Sequence, residues 1–420
     1  MSYNQSVIIR HGPRVARYAV YALLVFTPLA RGSFQPWAIT TIHLMTLIAF
    51  TALLLEKTIS WNWKRIKTPL DKPMMILLIL CILSTIFSLH RETSIWSIIL
   101  LINYVAFFYL VIHTTRTRAQ FRRLLYTIIG MATILSILGI LKSSGINPFP
   151  WWEYPHQAHS LYRMSSTFGN PNHLAGYMEM ALPIAVGSIL TGVRRNVAGL
   201  IITIILLMLL VLILTLSRGG WIGAFVGLSF MTMALLTDRY ASNKKLIIVL
   251  AAGFLFTIFV VFSSTHVVKK ILTLEQVDTT PNFSFRVIVW KATVEMIKDY
   301  PLLGAGPGTF ATVFSQYQPP SQGRYFYAHN DYLHFTAELG LVFIPIVAWM
   351  IILLYRRGFK KLKNESRLVR GTTLGALCGI TAILVHSISD FNLQIPSNAL
   401  LFTLLAALVV APFPIHHDSR

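Results

Sequence analysis

Four short runs of the chain pair residue types with chemistry to offer. In Ser217-Arg218-Gly219-Gly220-Trp221, two adjacent glycines allow a tight turn beside Arg218. A guanidinium next to exposed backbone N–H groups is an arrangement that binds phosphate. The same arginine also has a plain structural use, its stem lying along apolar surface while its head reaches the lipid headgroups. Arg286, in Phe285-Arg286-Val287, offers a second cation or a solvated charge on a polar helix face. Residues 325–333 read Tyr-Phe-Tyr-Ala-His-Asn-Asp-Tyr-Leu and set His329 beside Asn330 and Asp331 among aromatics. An imidazole titrating near neutrality is a natural general base, and Tyr325 and Tyr327 equally suit an interfacial aromatic belt.

The fourth run, Ser166-Thr167-Phe168-Gly169-Asn170-Pro171-Asn172-His173, reads as an Asn-Pro turn opening a helix, with the amides of Asn170 and Asn172 available to a site. Glu179 and Glu338 lie inside apolar stretches, and Asp390 lies at the end of another. Carboxylates there are expensive to bury, which makes them functional candidates or partners for an Arg or His on a neighbouring helix. Gly304-Ala305-Gly306-Pro307-Gly308 follows a helix and lacks the strand-turn-helix context of a nucleotide loop, so it reads as a turn. His156 and His159 have no clustered carboxylates, and no metal site is expected. Cys81 and Cys378 sit in apolar runs as small hydrophobes.

The elements that must position these residues are set by composition. The chain has 420 residues, 55% hydrophobic and only 12% charged, with mean hydropathy +0.63. Soluble domains carry about 25% charged residues. A soluble enzyme, a disordered chain and a disulfide-stapled module are excluded. Several apolar runs approach the ~20 residues that cross a bilayer as helix. Twelve spans are expected, near 17–30, 36–55, 73–89, 95–112, 124–141, 173–191, 198–216, 220–236, 246–263, 334–355, 371–388 and 395–412. With both termini in the cytoplasm, 25 of the 36 Lys and Arg fall on the inner side. That distribution accounts for most of the net charge of +21 and argues against a nucleic-acid surface. No small-residue cleavage site closes the first apolar stretch.

Residues 1–420 thus read as a single integral membrane domain with two long outer loops, 142–172 and 264–333. In the second, Phe285, Ile288, Val289, Ala292 and Met296 recur at helical spacing, which predicts an amphipathic helix lying on the membrane or capping a cavity. The two halves show no internal repeat, which weighs against an inverted-repeat transporter.

On Phe168 to Asn172, Leu216 to Gly219, Pro301 to Gly308, and His329-Asn330 followed after nine residues by Gly340, the chain resembles the bacterial O-antigen ligase and polymerase superfamily of membrane glycosyltransferases. The resemblance implies an all-α, GT-C-like fold with a helical periplasmic loop region in the bacterial inner membrane. It implies a glycan donor on undecaprenyl diphosphate, transfer at the periplasmic face, and neither metal nor cofactor. Arg218 and Arg286 match arginines that hold the lipid diphosphate, and His329 matches the proposed base. Asn330, Asn170, Asn172, Glu179, Glu338, Asp390, Tyr325 and Tyr327 are possible supporting residues. Trp151, Trp152, Tyr154, Tyr325 and Tyr327 suit stacking on sugars. The leading expectation is a ligase that moves the glycan onto a lipid A-core sugar with inversion. The alternatives are a polymerase joining polyprenyl-linked repeat units and, more weakly, transfer to a protein hydroxyl or a solute or anion transporter.

Overall fold

A computed structural model describes residues 3–64, 66–146, 148, 163–237, 281–318 and 325–412. The predicted span 246–263, the loop aromatics Trp151, Trp152 and Tyr154, and His156 and His159 lie outside the described residues. Within them the chain is helical, with no strand. The α-helices are α1 Tyr3–Leu29, α2 Pro36–Ile59, α3 Asp71–Ile86, α4 Arg91–Thr114, α5 Arg118–Ser143, α6 Pro171–Leu190, α7 Arg195–Leu214 and α8 Arg218–Thr237. They continue with α9 Pro281–Asp299, α10 Phe310–Val313, α11 Asp331–Leu339, α12 Phe343–Leu362, α13 Arg367–His386 and α14 Pro396–Val410.

Seven of these, α2, α4 to α8 and α13, are long and apolar enough to cross a membrane. α14 is apolar but has only 15 residues, and α3 has 16. The last turns of α12 carry Arg356, Arg357, Lys360 and Lys361, cations that favour a helix C-terminus. The described chain is that of a multi-pass membrane protein.

α6 and α13 are buried along most of their length, while α2, α4, α7 and α8 turn most of theirs outward. Small residues set this centre. A Cβ on Gly187 would strike the Gly371 carbonyl, and one on Gly375 the Pro183 carbonyl. Gly223 and Gly227 bring α8 onto the α13 carbonyls of Ala382 and Cys378 in the same way. Close backbone approach of this kind suits helices whose surroundings are as apolar as their own side chains.

The helix starts follow their local sequence. Gly169 takes a positive φ of 71°, the Asn170 side chain accepts the Asn172 N–H, and Pro171 opens α6. Thr117 and Gln120 form a reciprocal capping box on α5.

The expected amphipathic helix is present as α9, with Val289, Thr293 and Met296 buried and Lys291, Glu295 and Lys298 exposed. The tenth span needs correction. In place of one helix over 334–355 there are two, α11 and α12, separated at Gly340. Gly340 has φ 76°, and a Cβ there would collide with the Leu302 carbonyl. The Leu341 N–H donates to the Pro301 carbonyl, so the segment before the glycine run takes up the backbone that a continuous helix would have paired. That segment is the turn expected, with positive φ at Gly304, Gly306 and Gly308. It packs on Ser88, Ser94 and Ser97 of the α3–α4 corner.

Candidate active site

Five elements converge on one carboxylate. Asp390 lies in the link between α13 and α14 and is 1% exposed. Its Oδ1 accepts the N–H of Phe391 at 2.9 Å and lies 3.9 Å from His329 Nδ1. Its Oδ2 accepts from the Asn172 amide at 2.5 Å and lies 3.5 Å from an Nη of Arg286. Burial by itself would raise this carboxyl. The charges of His386, Arg286, His173 and His329 outweigh it and hold the group below the usual carboxylate range.

His329 precedes α11 in a left-handed backbone, φ 50°, a conformation that costs a non-glycine residue about 1–3 kcal/mol. Its ring meets Phe285 and Phe391 edge-on, with centroids 5.3 and 4.9 Å away. Burial pushes the imidazole down to about 4 against the opposing pull of Asp390. The ring is therefore neutral at neutral pH, and at 3.9 Å its Nδ1 stands beyond a normal hydrogen bond from Asp390.

Arg286 reaches Asp390 from the buried side of α9. Arg218, the exposed first residue of α8, lies within electrostatic range of Arg286. A third guanidinium joins them. Arg163 donates to the carbonyls of Thr215 and Leu216 at 2.9 and 3.3 Å and to the Asn172 side chain at 2.8 Å, and its charge interacts with those of Arg286 and Arg218. Sequence reasoning missed Arg163. The available signal was a basic residue three positions before the Ser166 to His173 run, on the same outer boundary.

The other expected residues have partners of their own. Asn330 caps α11 by accepting the Leu333 N–H at 3.0 Å, and Asn170 caps α6. Glu179 is fully buried beside His386, Oε1 to Nδ1 3.0 Å, and the opposite ring nitrogen lies 3.5 Å from the Ser217 hydroxyl that caps α8. Glu338 lies 3.3 Å from His334 rather than against His329. Tyr325 stacks on Phe285 and Tyr327 on Phe391, at 5.9 and 4.1 Å, so both line the wall around the imidazole. Asp331 ties α11 to the end of α13 by accepting from the Ser387 hydroxyl and the Leu393 N–H.

Among the described residues, no three His, Cys, Asp or Glu side chains group as metal ligands. What does group is three guanidiniums, a neutral imidazole and one ionised carboxylate. Fixed guanidiniums bind phosphate oxygens in pairs, and a neutral imidazole accepts a proton.

A multi-pass membrane protein that gathers arginines, a buried histidine and a buried carboxylate at one place is the class these features define. The family model described as O-antigen ligase matches residues 203–346, a stretch holding Arg218, Arg286, His329 and Glu338. The match supports the O-antigen ligase and polymerase superfamily that the motifs resemble. No curated protein matches the chain.

Proposed function

We propose that the protein is a membrane glycosyltransferase that moves a glycan from undecaprenyl diphosphate to a lipid A-core sugar at the periplasmic face. The observation that carries this reading is the grouping of Arg163, Arg218 and Arg286 beside His329 and Asp390. In the reading, the chain is a single domain of twelve spans with a GT-C-like arrangement, set in the bacterial inner membrane with both termini cytoplasmic. Residues 264–333 form the larger periplasmic loop and carry His329 and Arg286.

The chemistry follows from the charges. As the glycosidic bond breaks, negative charge grows on the departing diphosphate, and preorganised guanidiniums stabilise that charge more than the ground state. Arg286 and Arg218 serve this role, and Arg163 completes the cationic wall. His329 takes the proton of the acceptor hydroxyl as the oxygen attacks the anomeric carbon. With Nδ1 directed at Asp390, Nε2 is the nitrogen that meets the acceptor. Asp390 is a positioning residue that holds His329, Arg286 and Asn172 together. Attack opposite the leaving diphosphate inverts the anomeric configuration.

The test is transfer by purified protein in the presence of a chelator, with the anomeric configuration of the product read by NMR. An inverted product at an undiminished rate is expected. Retention, or activity that returns only on adding a divalent cation, overturns the mechanism.

A further inference from the structure

Beneath the His329 turn lies a set of buried groups that the transfer reaction does not use. Ala328, the residue before His329, is held at both polar atoms. Its carbonyl accepts from Trp290 Nε1 at 3.0 Å, and its N–H donates to His334 Nδ1 at 3.4 Å. An accepting Nδ1 leaves the ring proton on Nε2, and Nε2 lies 3.3 Å from Glu338 Oε1. The same oxygen accepts the N–H of Phe310 at 3.1 Å. The His334 ring stacks on Phe310 and Tyr327, with centroids 4.5 and 5.9 Å away. The Glu338 carbonyl in turn accepts from Gly306 N–H at 3.0 Å and from the Ser84 hydroxyl at 3.2 Å. A line of buried polar contacts thus runs from α3 and the glycine run to the peptide that enters His329.

We propose that His334 and Glu338 are positioning residues for His329, holding the Ala328 peptide so that the imidazole keeps its left-handed turn facing Asp390 and Arg286. A non-glycine residue at φ 50° keeps that backbone only where its surroundings impose it, and Ala328 is where they do so. The proposal rests on the reading of His329 as the base. The titratable and charged groups facing His329 are Asp390 from the α13–α14 link, Arg286 from α9, His334 from α11 and His173 from α6.

His334→Phe keeps the stacked ring and removes both nitrogens, whereas His334→Asn keeps an acceptor near the Nδ1 position. Both are compared with wild type as full-length protein in detergent. His329 is titrated by NMR, and transfer is measured from an undecaprenyl-diphosphate-linked glycan to lipid A-core. In wild type the imidazole should titrate near 4. In His334→Phe it should rise toward the ordinary value of about 6.5 as the ring loosens into solvent. kcat should fall about 100-fold, as for a catalytic group displaced by about 1 Å, while the donor KM stays within about twofold. His334→Asn should recover part of kcat. A folded His334→Phe with wild-type kcat and titration overturns the proposal, as does an Asn variant no better than Phe. If His334→Phe does not fold, Glu338→Gln replaces it, with an expected kcat loss of about tenfold and the same upward titration. Wild-type titration and kcat in Glu338→Gln likewise overturn the proposal. Full transfer by His329→Ala would instead overturn the base reading, while the titration still reports on positioning.

Discussion

Loss of the His329 imidazole and loss of a guanidinium should affect the proposed transfer in different ways. His329→Ala should leave donor binding close to wild type and abolish transfer, since the base acts only once the acceptor is in place. Equal losses of donor binding and transfer would contradict that role. Arg218→Ala or Arg286→Ala should lower kcat/KM by about 10–100-fold, the equivalent of about 1.4–2.8 kcal/mol. Lys at either position should recover only part, because an ammonium makes no bidentate fork. The pH profile has a definite sign. Burial holds the imidazole near 4, so kcat/KM should stay flat as pH falls through 6 and drop only as the base protonates near 4. An acid limb near 6.5 would mean an exposed, ordinary histidine. Arg218, Arg286 and His329 could be singled out from the sequence by their settings: a glycine turn between apolar runs, an amphipathic helix and an aromatic segment before a span. Arg163 could not be, because its place depends on meeting Thr215 and Leu216, more than fifty residues away, together with Asn172. Asn330 uses its side-chain oxygen to cap α11, a local role that its place before a helix also predicts.

Among the elements, α9 could be foreseen because one face of it is apolar at helical spacing and the opposite face carries Lys291 and Lys298. The α11–α12 break could not. Apolar residues continue through Leu341, Val342 and Phe343, and only contact with the distant Pro301 to Leu303 backbone tells a bend from a continuous span. Gly340→Ala should therefore destabilise the protein, with about 1–3 kcal/mol from the backbone alone and more from the Leu302 carbonyl, and should lower the detergent-solubilised Tm. An unchanged Tm would mean that the break does not depend on that glycine. The Glu179–His386 pair fits the expectation of an Arg or His partner on a neighbouring helix, but the sequence could not name that partner. Glu179 stood out as a buried carboxylate, but its partner lies 207 residues away.

For the whole molecule, composition and apolar runs were enough to read an all-helical, multi-pass membrane protein. They could not say that α6 and α13 form the centre, because all the spans are apolar and only close glycine contacts separate inner helices from outer ones. That arrangement bears on the proposed reaction. Asn172 in the first turn of α6 and Asp390 just after α13 are held by the most buried helices, while Arg286 and His329 approach them from α9 and the turn before α11. The most direct measurement is transfer by purified protein supplied with undecaprenyl-diphosphate-linked glycan, in parallel with and without lipid A-core. Glycan appearing on lipid A-core is the predicted result. Longer polyprenyl-linked chains in the tube without acceptor would contradict the ligase and point to a polymerase, and no product from folded protein and a matched donor would contradict glycosyl transfer itself.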